Sequence, residues 1–133
     1  MKIVLDTNII VSALLSHQGF PAKVLNLVLS GNVEIVYDNN ILSEYGDVLG
    51  RKYLNINQEL AGIVLDFIEK DGEFKIAIPQ NKQFNDEDDR IFYELYKSED
   101  VDYLITGNKK HFPNEKGIVT ARDFIESKYH KKK

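Results

Sequence analysis

The sequence predicts an α/β fold: a three-layer α/β/α sandwich with a mostly parallel sheet, in a single domain spanning residues 1–133. Short apolar runs, of which residues 3–5 are the first, have no polar face and suit strands buried on both sides of a sheet. Segments with helical periodicity, such as residues 60–68, lie between these runs. Strands that alternate with helices join by right-handed crossovers, which makes the sheet parallel and covers both of its faces.

The first four elements follow from apolar runs and from residues that begin or end helices. After the strand at 3–5, residues 9–15 predict a short buried helix. Pro21 begins a second helix, and Gly31 ends it. Residues 33–37 are again mostly apolar and predict the second strand.

Asparagine residues mark the beginnings of the next two helices. Asn39 or Asn40 can cap a third helix, and Asn57 precedes a fourth whose apolar stripe ends at Gly72. Residues 74–78 alternate between apolar and polar side chains, which predicts a third strand with one exposed face.

The last third of the chain completes the alternation of strands and helices. A polar loop at 80–87 leads to a fifth helix with Ile91, Phe92 and Leu95 inward. Residues 102–106 and 117–119 predict the fourth and fifth strands. Thr120 and Asp123 then resemble a capping box for the last helix, with Asp in the usual place of Glu.

Composition excludes several classes of protein. The hydrophobic fraction of 43% is enough for a packed core, and no apolar run approaches the ~20 residues of a membrane span. The absence of cysteine and of a signal peptide favours the cytoplasm. A net charge of −4 argues against a protein that coats nucleic acids nonspecifically. It does not argue against an enzyme that contacts phosphates through metal ions. The basic tail at 128–133 is either solvated or contacts RNA or a partner.

Polar and acidic residues recur where predicted strands end. Asp6 follows the first strand, Glu44 lies early in the third helix, Asp88 and Asp89 open the fifth helix, and Asn108 follows the fourth strand. Each alone has an ordinary explanation as a cap, a turn or a solvated side chain. In a parallel sheet, however, all these places share one edge. Clustered carboxylates repel unless a cation is present, and oxygen-only ligands indicate Mg²⁺ or Mn²⁺.

Ordered motifs along nearly the whole chain resemble the PIN-domain family. They are Val4-Leu5-Asp6-Thr7-Asn8, Leu42-Ser43-Glu44-Tyr45, the acidic run at 86–92, the fourth-strand motif at 102–108 and the closing motif at 118–124. The set is most similar to the toxin components of bacterial and archaeal toxin–antitoxin pairs. This resemblance implies a Mg²⁺- or Mn²⁺-dependent ribonuclease, an RNA substrate, a protein antitoxin and a homodimer.

The resemblance also assigns residues. Asp6, Glu44 and Asp89 match the first three acidic positions of the family, with a one-residue uncertainty between Asp88 and Asp89. Asn108 stands where the family usually has an aspartate, so it would ligate through its amide oxygen and leave one negative charge fewer. Residues expected to orient the carboxylates or to contact phosphate are Asn8, Thr106, Thr7 and Ser43.

The implied chemistry is attack of water on an RNA phosphodiester, and two other functions compete with it. A haloacid-dehalogenase-like phosphatase would need an acid at position 8, where this chain has Asn8. A PIN-like module that binds RNA or a partner without turnover would differ from the ribonuclease only in one respect. It would have lost catalysis because Asn108 replaces the aspartate that is usual in the family. Lys109, Lys110 and His111 either supply positive charge to the RNA backbone or form a solvated loop.

Overall fold

The computed structural model describes residues 1–129, and residues 130–133 of the basic tail lie outside the described part. Within it, five strands form one parallel sheet in the order β3-β2-β1-β4-β5. Their bounds are β1 Lys2–Leu5, β2 Glu34–Tyr37, β3 Glu73–Phe74, β4 Tyr103–Ile105 and β5 Ile118–Val119. The strand order reverses between β1 and β4, so a crevice is expected beyond the carboxyl ends of these two strands.

Helices cover the sheet in two packed groups. One group contains α1, α2 and α6, and in the other α3 packs against α4 and α5. Their bounds are α1 Thr7–Leu15, α2 Phe20–Leu29, α3 Asn39–Leu49, α4 Gln58–Asp71, α5 Glu87–Tyr96 and α6 Ala121–Asp123. Short 3₁₀ turns lie at Lys52–Leu54 and Lys109–His111, and a π turn continues α6 over Phe124–Lys128. The predicted three-layer α/β/α fold is confirmed.

Burial explains why β1 occupies the centre of the sheet. Ile3, Val4 and Leu5 are completely buried between the helical layers. Burying each such side chain contributes about 1.5–3 kcal/mol. Within residues 1–129, no helix is long and apolar enough to cross a membrane.

Two local predictions were wrong in detail. Helix α3 is capped by Asp38 rather than by Asn39 or Asn40, because Asp38 Oδ1 accepts a hydrogen bond from the backbone N–H of Ile41 at 2.8 Å. The third strand is only two residues long, since β2 ends at Tyr37 and offers no partner to the chain beyond Lys75. Ile76 is consequently 80% exposed.

Other helix ends follow the sequence signals. Asn57 Oδ1 caps α4 by accepting hydrogen bonds from the backbone N–H groups of Glu59, at 2.9 Å, and Leu60, at 3.1 Å. Gly31 has a φ of +80° directly after α2, a conformation that favours glycine. Thr120 Oγ1 accepts a hydrogen bond from Asp123 N at 3.1 Å, which confirms one half of the predicted capping box.

A buried tyrosine ties α3 to the end of β1. The Tyr45 hydroxyl donates a hydrogen bond to the Leu5 carbonyl, and the side chain is completely buried. Burial raises the pKa of Tyr45 well above its ordinary value, with the charges of Asp6 and Asp38 acting in the same direction. The hydroxyl therefore stays neutral and acts as a donor. It holds the peptide group that immediately precedes Asp6.

We expect Tyr45→Phe to lower the free energy of unfolding by about 1–3 kcal/mol, because the buried Leu5 carbonyl loses its hydroxyl donor. Urea unfolding followed by circular dichroism measures this change. Tyr53→Phe is the control, since the Tyr53 side chain is 77% exposed. Equal stability of Tyr45→Phe and the wild type would show that the hydrogen bond contributes nothing to folding.

Candidate active site

Asp6 is a buried carboxylate at the carboxyl end of the central strand. Its backbone N–H donates to the Ile105 carbonyl at 2.9 Å, which extends the pairing of β1 with β4 by one residue. Its Oδ2 accepts a hydrogen bond from Thr106 Oγ1 at 2.7 Å. Burial raises the pKa of Asp6, and the hydrogen bonds from Thr106 and from the backbone of Asn8 and Thr7 oppose the increase. The fold therefore holds Asp6 where its charge is costly.

Hydrogen bonds from the loop after β4 fix the position of Thr106. Besides donating to Asp6, Thr106 Oγ1 accepts a hydrogen bond from the backbone N–H of Asn108 at 3.0 Å. The backbone N–H of Gly107 donates to Asn8 Oδ1 at 3.2 Å. The ends of β1 and β4 are thus bound to each other through side chains as well as through the sheet.

Three more carboxylates join Asp6 in one cavity. Glu44 on α3 and Asp88 and Asp89 on α5 line a cavity of about 270 Å³ together with Asp6. Burial, followed by the charge of Asp88, raises the pKa of Glu44. Burial, followed by the charge of Asp6, raises the pKa of Asp89. We call this space the acidic cavity.

The rest of the acidic cavity is largely apolar. Its wall is built by Val11, Val48, Leu54 and Phe92, with Tyr53 at its side. These apolar side chains offer no donors that could stabilise the charges of the neighbouring carboxylates. The same environment would strengthen their attraction for a cation.

His111 partly offsets the charge of Asp89. Its Nδ1 lies 3.5 Å from Asp89 Oδ2, and the His111 charge lowers the pKa of Asp89 against the larger effect of burial. The Asp89 side chain is 17% exposed, whereas that of His111 is 53% exposed. Asp88 next to it is exposed, so Asp89 is the more enclosed of the two candidate acids.

The structure does not bring every predicted residue into the acidic cavity. Ser43 is exposed and lies outside the lining. Asn108 also lies outside it and contributes its backbone N–H to Thr106. Asp102 accepts a hydrogen bond from the backbone N–H of Lys2 at the opposite end of the sheet. The lining does contain Thr7 and Asn8.

Sequence reasoning missed the partner of Asp89 and the apolar wall. His111 drew attention only as a positive charge for RNA, because nothing in the sequence relates it to a carboxylate 22 positions earlier. Helical periodicity predicts that Phe92 faces inward from the fifth helix. That signal identifies a buried side chain without showing that it borders a cavity.

The chemistry of the donors fits a hard divalent cation, although no chelating group is preformed. In residues 1–129, no three His, Asp or Glu side chains are grouped closely enough to hold a metal ion. The acidic cavity nevertheless offers oxygen ligands alone, which suits Mg²⁺ or Mn²⁺. Thr7 Oγ1 is buried there without a hydrogen-bond partner in the described chain. A polar atom in that state is costly unless a further group satisfies it.

Comparison with known proteins assigns the family. The PIN domain profile matches residues 2–110. The uncharacterized protein MJ1680 of Methanocaldococcus jannaschii is 32% identical over 137 aligned positions, which cover 97% of this chain and 79% of that protein. No solved structure gave a significant match. PIN domains are generally nucleases. With the parallel sheet and the motifs at its carboxyl edge, this match shows that the chain belongs to the PIN-domain family.

Proposed function

We propose that the protein is an endoribonuclease that depends on Mg²⁺ or Mn²⁺. The supporting observation is that Asp6, Glu44 and Asp89 reach one cavity from three separate elements and that the pKa of each is raised. Burying like charges together opposes folding unless a cation neutralises them. Perturbed carboxylates in a cleft are therefore candidates for function.

In this proposal Asp6, Glu44 and Asp89 hold the cation. Asn108, which lies outside the acidic cavity, becomes the fourth, neutral ligand only if the loop after β4 moves toward it. A bound divalent ion would supply positive charge for the scissile phosphate and a more acidic water molecule. Thr106 fixes the orientation of Asp6 through its 2.7 Å hydrogen bond.

We further propose that the protein acts as the toxin of a toxin–antitoxin pair. This role is supported by the likeness of its motifs to that subfamily, as are a protein antitoxin, a cytoplasmic location and a homodimer. Induced expression should arrest growth, and Asp6→Asn should remove the arrest. A gene for a small DNA-binding protein beside this one would support the pairing, and light scattering would measure the oligomeric state.

A second candidate is an RNA- or partner-binding module with weakened catalysis. It is favoured by the exclusion of Asn108 from the acidic cavity and by the absence of a preformed chelating group in residues 1–129. Incubation of the purified protein with single-stranded RNA and Mn²⁺, with and without EDTA, separates the two. Cleavage that EDTA abolishes supports the nuclease, and binding without cleavage supports the module.

Metal binding should depend on Asp6. Mn²⁺ should raise the melting temperature of the wild type, because a ligand that binds only the folded state stabilises it. Asp6→Asn should remove that increase while circular dichroism shows an intact fold. Asp38→Asn is the matched control, since Asp38 is an equally buried acid after a strand and asparagine also caps helices. An unchanged shift in Asp6→Asn would exclude Asp6 as a ligand.

Glu44→Gln and Asp89→Asn should each abolish cleavage without destabilising the metal-free protein, because each removes a charge from a repelling group. Since folding raises both pKa values, the stability of the wild type should fall as pH rises from the ordinary carboxyl range through the raised values. That fall should be smaller in both variants. Thermal unfolding followed from acidic to neutral pH measures it.

The control for these variants is Asp47→Asn, an exposed acid on the same helix as Glu44 that lies outside the acidic cavity. It should leave cleavage unchanged. A clear drop in melting temperature for Glu44→Gln or Asp89→Asn without metal would instead identify a structural ion pair or cap.

Asn108→Asp tests the fourth ligand position. If the loop after β4 adjusts so that position 108 meets the cation, the added charge should tighten Mn²⁺ binding by roughly 1–2 kcal/mol after desolvation. Cleavage should then increase most at low metal concentration. Metal titrations of activity for both proteins measure the change. Equal affinity and rate would show that Asn108 is a turn residue outside the site.

A further inference from the structure

A second cavity adjoins the acidic cavity and shares one of its walls. The loop before α5 and the turn after β4 enclose about 330 Å³, lined by side chains that include Phe84, Asn85, Lys110 and Phe112. Asp89 lines both spaces, so this one carboxylate lies between them. We call the second space the flanking pocket.

The apolar wall of the flanking pocket is held in place by packing. The Phe84 and Phe112 rings meet edge to face with their centroids 6.3 Å apart. Phe84 also packs against Tyr93 at 5.5 Å, and the guanidinium carbon of Arg90 lies 5.2 Å from the Phe84 centroid. Phe112 is only 7% exposed. The wall is therefore an aromatic surface packed against α5.

The polar side chains of the flanking pocket are free to meet a ligand. Gln83 and Asn85 line the flanking pocket and are exposed to solvent. Each amide offers a donor and an acceptor side by side, which matches the edge of a nucleobase. Lys110 adds positive charge at the same opening.

The flanking pocket combines aromatic rings, side-chain amides and a lysine, whereas the acidic cavity is lined by carboxylates. The two spaces therefore suit different parts of one RNA strand. The acidic cavity has only carboxylates among its charged groups, whereas the flanking pocket places Lys110, which attracts phosphate, beside Asp86 and Asp89. Aromatic rings with base-edge donors and acceptors are the usual means of holding an unpaired base. A base in a duplex is stacked and cannot enter such a pocket.

We propose that the flanking pocket binds the unpaired nucleobase next to the scissile phosphate and sets the base preference of the enzyme. This inference rests on the proposed ribonuclease function, because Asp89 would then connect the metal to the neighbouring nucleotide. The amides of Gln83 and Asn85 read the base edge, the Phe84–Phe112 wall contacts its apolar surface, and Lys110 contacts its phosphate. The substrate is accordingly single-stranded RNA.

The test uses four short single-stranded RNAs that differ in one base, with cleavage measured in Mn²⁺ and binding measured by fluorescence anisotropy in EDTA. The wild type should prefer one base, and Asn85→Ala should reduce that preference about tenfold, since a lost base-edge contact costs ~1–3 kcal/mol. Lys110→Ala should weaken binding of all four RNAs alike, because a phosphate contact carries no sequence information.

Matched variants separate these effects from general changes. Asn81→Ala removes an exposed amide from the same loop outside the flanking pocket, and Lys116→Ala removes an exposed lysine elsewhere on the surface. Both should retain the wild-type base preference and affinity. Circular dichroism of every variant excludes unfolding, and the replaced side chains make no packing contact in the core.

The outcomes distinguish failure of the pocket from failure of the nuclease. Cleavage by the wild type with the same base preference in Asn85→Ala overturns the pocket and leaves the nuclease in place. Binding in EDTA with an Asn85-dependent preference, but without cleavage in Mn²⁺, supports the pocket and overturns the nuclease. A wild type that neither binds nor cleaves RNA overturns both. A binding preference for duplex over single-stranded RNA also overturns the pocket.

Discussion

The cost of keeping the Asp6 carboxylate away from water determines how the surrounding structure is arranged. Asp6 is 7% exposed at the end of a strand with no polar face, so its charge is stabilised by the few donors that reach it. Thr106 supplies the side-chain donor, and the loop after β4 keeps Thr106 in position. Tyr45 on α3 donates a hydrogen bond to the Leu5 carbonyl and so fixes the peptide group between Leu5 and Asp6. The two central strands and α3 thus meet at one carboxylate.

The sequence predicted the fold because the decisive signals are local. Three consecutive apolar residues, Ile3, Val4 and Leu5, suffice to identify a strand buried on both faces. Asn57 caps α4 by bonding to residues two and three positions away. Dependence on local signals also explains why the wrong residue was predicted as the N-cap of α3. Asp38 stands beside two asparagines that are equally good caps, and only the position where β2 ends selects Asp38.

The candidate site was predictable in outline, because parallel strands bring their carboxyl ends to one edge whatever the loops do. Its details depend on contacts between segments far apart in the sequence. The approach of His111 to Asp89 and the meeting of Phe84 with Phe112 are set by how the turn after β4 packs on α5. No pattern within either segment encodes that distance. Asn108, whose motif suggested a ligand, lies outside the acidic cavity for the same reason.

The bond between Thr106 and Asp6 joins residues 100 positions apart, and this separation affects when the site can exist during synthesis. β1 leaves the ribosome well before its partner β4, because the two strands are far apart in the sequence. Until then Asp6 has neither its threonine donor nor the adjoining strand, and closing so long a loop has an entropic cost. A polypeptide that ends before β4 therefore lacks both constraints on the position of Asp6. Glu44, Asp88 and Asp89 would already be present in it, but Asp6 would not yet be held by Thr106 and β4.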